Sequence, residues 1–354
     1  MATPNDYLEL EKKIEEQKRT IKRLTQERLD YERSWKVAKD RFRRPSFYKM
    51  LSVYKDYVTL NGWDENSCSA TAGLTNKLRN YLFASSHGVR IPTLYQMASE
   101  MSEIEFDNLP DRFVVKTSGG STSHGVLPIV RNGDRFEIAD GTRVLTQEEL
   151  VKSFEESQSK GLAYGEIFVE EFLTGYGSDN PIPDDVKIYC SYGEVMHILL
   201  RSVDLHGSVE GTRSKYIDAE GNDFGPVSSE RNIDQRIRVP DQLENLTSIA
   251  KHLSLASGLS FCRIDLYDTP NGLYFGELTR VPGGAQTYSK QHDQMLAEKW
   301  LRGEARLQKD LKNGRPSGVL WGDKINYKDM TVLDNLKEEI LRSSFVQCGV
   351  WCSD

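Results

Sequence analysis

The chain is poor in several residue types that would narrow its class. Its 354 residues include only five cysteines, six histidines and twelve prolines. Cys68, Cys190, Cys262, Cys348 and Cys352 are odd in number and scattered. That excludes a disulfide-dense secreted scaffold and reads as reduced thiols in a reducing compartment. Cys348 and Cys352 are close enough to pair or to bind a metal. No histidine stands near them in sequence, so free thiols are the expectation there too. No apolar run approaches the roughly 20 residues that span a bilayer, and no secretory signal is seen, so a cytoplasmic protein is expected. An excess of basic charge is also missing: 46 Lys and Arg face 53 Asp and Glu, for a net charge of -7. This argues against a broad nucleic-acid surface, although a local basic cleft stays compatible with it. There is no HExxH and no Ser-His-Asp spacing, so nothing points to zinc-protease or triad hydrolase chemistry. Neither internal repeats nor low-complexity stretches occur. What is left, 38% hydrophobic and 28% charged, suits a globular protein with some long exposed helix.

Gly and Pro are absent from "LELEKKIEEQKRTIKRLTQERLDYERSW", residues 8–35. Tyr7, Ile14, Ile21 and Trp35 share one heptad position; Leu10, Leu24, Tyr31 and Ala38 share another, with Gln17 and Arg28 interrupting the seam. Two readings stand: a coiled coil, or a single long helix lying on its own domain. Pro45 ends the segment, which defines an N-terminal helical extension over 1–44. Residues 45–109 read mostly helical, in "FYKMLSVYKDYVTL" and "TNKLRNYLFASSHG", the second with Thr75 as N-cap and Gly88 as its stop.

From Asp111 the period changes. "RFVVKT", "GVLPIV" and "RFEIA" read as strands across glycine turns, and "TQEELVKSFEESQSK" as a helix. "EIFVEEFL" is a buried strand. "DVKIYCSYGEVMHILLRSV" and "SFCRIDLYDTPNGLYFGEL" are hairpins that turn at Tyr192–Gly193 and Asn271–Gly272. Two further helices follow, in "DQLENLTSIAKHLSLASG" and "SKQHDQMLAEKWLRGEARLQKDL". The pattern is α+β, built on antiparallel hairpins rather than a doubly wound parallel sheet.

Three stretches carry chemistry. Arg263 and Asp265 lie two apart and so face one side of a strand, while Glu277 and Thr279 share a parity on its partner. Two carboxylates aimed one way suit Mg²⁺ held partly by substrate phosphates; a solvated hairpin face with a salt bridge would look the same. "KTSGGSTSHGV" sets Lys116 at a strand end, followed by glycines that let a backbone approach an anion; a tight hairpin loop would also explain it. "VEEFL", Val169 to Leu173, ends a strand whose free backbone groups can pair with a flat heterocycle, or simply meet water. His124 decorates the glycine loop, and His197 on an alternating strand reads as packing.

Taken in order, these pieces resemble the ATP-grasp superfamily, in its D-alanine–D-alanine-ligase pattern and TupA-like branch of surface-polymer biosynthesis. The likeness runs over roughly residues 70 to 290, and "FCRIDLYDTPNGLYFGELTRVPGG" carries most of it. It implies an ATP-grasp fold: two α+β lobes closing on ATP, a small lobe over 110–175 with the phosphate loop and a large lobe over 176–354. Lys77 and Lys116 would contact phosphate, and Ser121, Thr122 and Ser123 would cover it. Glu170, Glu171 and Leu173 would sit at the adenine hinge, Leu173 through its backbone alone. Asp185 would meet the ribose, with Lys187 on the same strand face. Arg213 and Lys215 of "GTRSKYID" would deliver charge to the transferred phosphate. Arg263 would steady a tetrahedral intermediate. Asp265, Glu277 and Thr279 would hold Mg²⁺. The family's Asp before the first lysine is here Asn76, and its third metal ligand, commonly Asn, is here Thr279, which leaves the number of metal ions open.

The resemblance implies a ligase. ATP and Mg²⁺ activate a carboxylate of a small molecule or glycan as an acyl phosphate, and an amine or related nucleophile displaces phosphate. The alternatives are a kinase of the same fold acting on a sugar or glycan hydroxyl, and a nucleotide-binding scaffold that works through its coiled coil. A homodimer through residues 1–40 is the expected assembly, with no nucleic acid and no membrane span.

Overall fold

A chain stretch of forty residues without glycine has little to stop a helix once it starts. The computed structural model describes residues 4–61, 70–120, 125–139, 141–176, 182–203, 211–284, 286–324 and 346–352. It divides into two compact units, Met1–Ser46 and Phe47–Asp354. The first is one helix, α1 (Pro4–Arg43). Exposed pairs such as Arg23–Glu27 at 3.3 Å line its surface and contribute a few tenths of a kcal/mol each. The heptad residues Leu10, Ile14, Ile21, Leu24, Tyr31 and Trp35 are all exposed.

The second unit opens with α2 (Phe47–Asn61), a single turn α3 (Ala70–Gly73) and α4 (Lys77–Ser86). Asn76, not Thr75, caps α4: its backbone is extended and its side chain accepts from the Arg79 N–H at 2.9 Å. His87 is the C-cap, and Gly88 follows at φ +77°.

A first sheet then forms from β1 (Leu94–Ala98), β2 (Arg112–Thr117), β3 (Val126–Asn132), β4 (Arg135–Ile138), β5 (Val144–Leu145) and, after α5 (Gln147–Ser159), β6 (Ile167–Glu171). The order is β1-β6-β2-β3-β4-β5, every pairing antiparallel. β1 is a strand inside the stretch expected to be helical. Its partner β6 lies some seventy residues on, and that pairing leaves no local signal. Phe113, Val115, Ile129, Phe136, Leu150 and Phe154 pack one face of this sheet against α5. Strand alternation puts Val114, Lys116 and Glu170 on the other.

The second sheet holds β7 (Asp185–Ser191), β8 (Glu194–Val203), β9 (Thr212–Ile217), β10 (Cys262–Thr269) and β11 (Gly272–Thr279), ordered β11-β10-β7-β8-β9. α6 (Leu243–Ser257) and α4 cover one face through Leu78, Leu82, Ile188, Ile198, Leu253 and Ile264. On the other face an aromatic cluster joins α2 to α7 (Lys290–Lys312), where Phe261 and Trp300 stack at 4.3 Å. The β7–β8 turn falls at Tyr192–Gly193 with both φ values positive, as a type I′ turn requires. The β10–β11 turn falls one residue early: Thr269 pairs with Gly272, so Pro270 and Asn271 make the loop.

The expectation of five free thiols is corrected. Cys190 and Cys262 are free, buried and directly opposed across β7 and β10, but Cys348 and Cys352 are bonded to each other. A 3₁₀ turn at Gly349–Cys352 brings their Cα atoms to 5.7 Å. Cys68 lies outside the described residues. No described helix is long and apolar enough to cross a membrane.

The β10–β11 pairing carries an irregularity. Asp265 pairs with Glu277, but the next step pairs Leu266 with Phe275, so Gly276 is an extra residue in β11. A Cβ there would stand 2.7 Å from the Tyr267 ring and 3.2 Å from the Asp265 carbonyl oxygen. Gly276→Ala should therefore cost about 1–3 kcal/mol of stability through overpacking. Denaturant titration against the parent chain measures it, and an unaltered midpoint would show that the bulge has room to spare.

Candidate active site

The polar ends of the two sheets face one cavity. From the first sheet and α4 it is lined by Lys77, Lys116, Glu170, Glu171 and Leu173; from the second by Asp185, Lys187, Arg201, Asp265 and Glu277. Nine of the residues expected from the sequence thus share one space.

The second-sheet half is a row across three strands. Lys187 of β7, Asp265 of β10 and Glu277 of β11 are successive cross-strand partners. Such partners point the same way, with Cβ atoms about 4.5–5.5 Å apart. Asp265 is 4% exposed and accepts from Arg263 Nε at 2.6 Å, Arg263 Nη2 at 2.7 Å and Lys187 Nζ at 2.6 Å. Burial alone would raise its carboxyl pKa, but the two cations outweigh burial and hold it below the usual carboxylate range. Burial alone would likewise lower the Arg263 guanidinium, and Asp265 more than reverses that. Arg263 Nη2 also donates to Thr279 Oγ1 at 3.0 Å, which places Thr279 at the rim of this network. Lys187 reaches Asp185 at 3.2 Å, and Asp185 reaches Arg201 at 3.8 Å. Glu277 is different. Among the described residues its carboxylate has no hydrogen bond and no ion pair, although it lies directly across from Asp265. Like charges so opposed are destabilising unless something positive joins them.

The first-sheet half is held from α4. Lys116 Nζ lies 2.5 Å from Glu170 Oε1 and 3.3 Å from Tyr81 Oη, and the Tyr81 hydroxyl donates to Glu170 Oε2 at 2.7 Å. Glu170 is only 2% exposed, so its carboxylate serves as counter-ion to Lys116. Burial first, then the Glu170 charge, push the Tyr81 hydroxyl well up. Glu171 accepts from the backbone N–H and the hydroxyl of Thr93, each at 3.1 Å. Both glutamates of "VEEFL" are therefore taken up internally, and Phe172 and Leu173 line the cavity just past the strand. Lys77 opens α4. Its backbone N–H donates to Ser118 O at 3.0 Å and its Nζ to Gly120 O at 3.4 Å, which ties the helix start to the glycine loop. Among the described residues no carboxylate comes within ion-pair distance of its ammonium, and burial lowers its pKa. A desolvated ammonium facing a carbonyl favours an incoming anion.

Ser121, Thr122 and Ser123, with His124, lie outside the described residues. Arg213 and Lys215 depart from expectation. The register opposes Arg201 to Ser214 and Leu200 to Lys215, so both basic residues sit on the sheet face away from the cavity. Arg213 pairs with Asp234 at 3.2 Å, and Lys215 donates to the Gln235 and Ile237 carbonyls. Arg201, Tyr81 and Tyr267 escaped sequence reading. Tyr81 was within reach, since it stands one helical turn after Lys77. Arg201 would have needed the β7–β8 register.

Two antiparallel sheets with helices packed on them, enclosing lysines from one side and an Arg-x-Asp/Glu-x-Thr hairpin on the other, define the ATP-grasp architecture. The chain belongs to the TupA-like ATP-grasp family, whose model matches residues 66–301. Among solved structures it is similar to the D-alanine–D-alanine ligase of Bacillus anthracis, at 16% identity over 68% of this chain and 71% of that one, with a TM-score of 0.43. It is also similar to the ATP-grasp ligase PsnB complexed with a minimal precursor, at 14% identity over 66% and 61%, TM-score 0.37. A third is the D-alanine–D-alanine ligase of Helicobacter pylori, at 15% identity over 70% and 60%, TM-score 0.35. No curated protein matches the chain. ATP-grasp ligases use ATP and Mg²⁺. The donor set here fits that ion: a carboxylate on Glu277 without a partner among the described residues, a second on Asp265 with lone pairs beyond its three hydrogen bonds, and oxygen ligands only.

The two lysines should respond differently to removal. Lys77→Ala should weaken ATP binding about tenfold or more, on the order of 1.5–3 kcal/mol for a charge-assisted contact, with little change in melting. Lys116→Ala leaves Glu170 buried without its cation and should cost about 3–5 kcal/mol of stability. Calorimetric binding and thermal melts separate the two.

Asp265 has a depressed folded pKa, so the stability its charge contributes is present above the unfolded value of about 3.9 and is lost as pH falls through the folded value. The stability difference between the parent and Asp265→Asn should hold steady from about pH 8 to 5 and shrink below about 4. Urea titrations across that range test this.

Proposed function

We propose that the protein is an ATP-dependent ligase that joins a carboxylate to an amine or related nucleophile through an acyl phosphate. The observation that carries this is the uncommitted Glu277 carboxylate set opposite Asp265, in one cavity with Lys77 and Lys116 of the other half. It gives a place for a divalent cation beside two ammonium groups, which is what a polyphosphate needs. Mg²⁺ bound there neutralises charge among the phosphate oxygens. Lys77 and Lys116 position the phosphates. Arg263, which holds Asp265 through Nε and Nη2, would steady the negative charge that develops on the acyl oxygen.

The chemistry balances without a protein nucleophile. A carboxylate oxygen attacks the terminal phosphorus, the bond to the bridging oxygen breaks, and ADP leaves. The nucleophile then attacks the acyl carbon, inorganic phosphate leaves, and the proton of the nucleophile passes to solvent. Among the described residues the cavity lining holds no Ser, Thr, Cys or His, which agrees with catalysis by positioning and charge. The substrate class is a small-molecule or glycan carboxylate, in surface polysaccharide or peptide-type biosynthesis.

The test is product stoichiometry. Supplied with ATP, Mg²⁺ and pooled carboxylates and amines, the protein should release ADP and inorganic phosphate in equal amounts, and only when both co-substrates are present. ADP without free phosphate would assign a kinase acting on a hydroxyl. Absence of turnover with every pool would leave a binding scaffold. Glu277→Gln should remove nearly all turnover while ATP still binds. A surface ion pair would instead cost about 0–1 kcal/mol and leave turnover alone.

For α1 we propose self-association through its heptad seam. The support is that Leu10, Ile14, Ile21, Leu24, Tyr31 and Trp35 lie 44–74% exposed along one helix. Deleting residues 1–40 should lower the mass seen by light scattering and leave turnover unchanged. An unchanged mass with lost turnover would make α1 part of the catalytic unit.

A further inference from the structure

We propose that His87, His252, Cys348 and Cys352 form a binding site for a zinc-class divalent ion, apart from the nucleotide cavity. Three separate parts of the chain build it. His87 is the C-cap of α4, His252 lies in α6, Cys348 immediately precedes the 3₁₀ turn at Gly349–Cys352, and Cys352 ends it. One ligand atom each from His87, His252 and Cys348 lie within 4.8 Å of one another, and the Cys352 sulfur is bonded to that of Cys348.

The hydrogen bonds decide what those nitrogens are. His87 Nε2 is 3.0 Å from the Leu320 carbonyl, and His252 Nδ1 is 2.7 Å from the Cys352 carbonyl. A carbonyl only accepts, so both of these nitrogens carry hydrogen. A neutral imidazole has one N–H. The remaining nitrogens, His87 Nδ1 and His252 Nε2, are therefore bare lone pairs, and they face each other at 2.9 Å. Two lone pairs at that distance repel unless an electrophile lies between them. That electrophile is either a shared proton or a metal ion. The carbonyls behind the rings supply the outer contacts that fix tautomer and orientation in metal-binding histidines. A sulfur beside the nitrogens favours the metal. Two imidazoles with two thiolates are a set that zinc-class ions take tetrahedrally. With Zn–N near 2.0–2.1 Å and Zn–S near 2.3 Å, the nitrogens would stand about 3.3 Å apart and the sulfurs about 3.8 Å apart. The rings need to separate by only a few tenths of an ångström.

The sulfurs must part further, because the structure holds them as a disulfide. Two equivalents of a small thiol reduce that bond: they supply two electrons and two protons and leave as their own disulfide. The two Cys thiols then lose their protons to solvent as the ion binds. The disulfide and the metal are thus alternative closures of one site. Either would fasten the 346–352 segment, which also bonds to Trp321 through Val346 O and the Cys348 N–H at 2.8 Å each. Lys77 opens α4 and His87 caps its C-terminal end, ten residues or about 15 Å apart, so the site anchors the helix that presents Lys77.

The test uses the full chain, reduced with a small thiol, freed of it and titrated with Co²⁺ as a spectroscopic probe. We expect one Co²⁺ per chain, visible bands of tetrahedral cobalt, a thiolate-to-cobalt charge-transfer band, and displacement by Zn²⁺. The same protein left oxidised should show no charge-transfer band, a comparison that needs no variant. Cys348→Ser and His252→Gln should each weaken binding tenfold or more. Failure of the reduced chain to bind Co²⁺ stoichiometrically, or binding without the thiolate band, would overturn the proposal and leave a proton-sharing histidine pair beside a disulfide. Because the readout is spectroscopic, its failure is distinct from any failure of the ligase reading.

Discussion

A carboxylate buried between two cations is the constraint around which the active-site sheet is arranged. Asp265 could not remain charged at 4% exposure on its own. It stays charged because Arg263, two residues away on the same strand, and Lys187, directly across on β7, both donate to it. Those contacts demand that β7 and β10 be adjacent, antiparallel and in a register that puts residues 187 and 265 on one face. Removing any member strands the others in a region with little water. What the triad leaves over is Glu277, brought alongside by β11 and outside ion-pair distance of every described cation. The site thus separates one carboxylate that is satisfied by the fold from one that is available to a ligand.

The same division holds on the other side of the cavity. Lys116 is spoken for by Glu170 and Tyr81, whereas Lys77 faces only a carbonyl among the described residues. One lysine thus keeps its place through internal bonds, and the other keeps its charge uncommitted. A polyphosphate entering the cavity would meet one fixed and one unsatisfied cation from one side, with one fixed and one unsatisfied carboxylate from the other.

How much of this was legible in the sequence depended on distance along the chain. The 262–279 hairpin was legible in its two strands and in the parity that pairs Arg263 with Asp265 and Glu277 with Thr279, but the expected turn lay one residue off and the extra residue at Gly276, which sets Glu277 opposite Asp265, left no signal. Lys116 was legible from an apolar run that ends in glycines. The role of Glu170 was not, because Tyr81 is 89 residues away and only the folded sheet brings them together. β9 was missed, and with it the outward facing of Arg213 and Lys215, since its alternation is polar and its partner is set by register alone. Cys348 and Cys352 read as ordinary thiols because His87 and His252, which stand beside them, come from helices far back in the chain. Local signals gave strands, turns and single charged positions, while partners of those charges belonged to tertiary pairing.

The extra residue at Gly276 has an effect beyond aiming Glu277. β11 is the outermost described strand on its side of the second sheet, and its outer edge is partly taken: the Phe275 N–H donates to Arg90 O at 2.8 Å and the Leu278 carbonyl accepts from Asn80 Nδ2 at 2.9 Å. A regular, uncovered edge would accept a passing extended chain in register and grow by another strand. The bulge breaks the spacing halfway along β11, and the carboxylate of Glu277 stands next to the break. The feature that shapes the cation site therefore also makes this border a poor template for sheet-to-sheet aggregation.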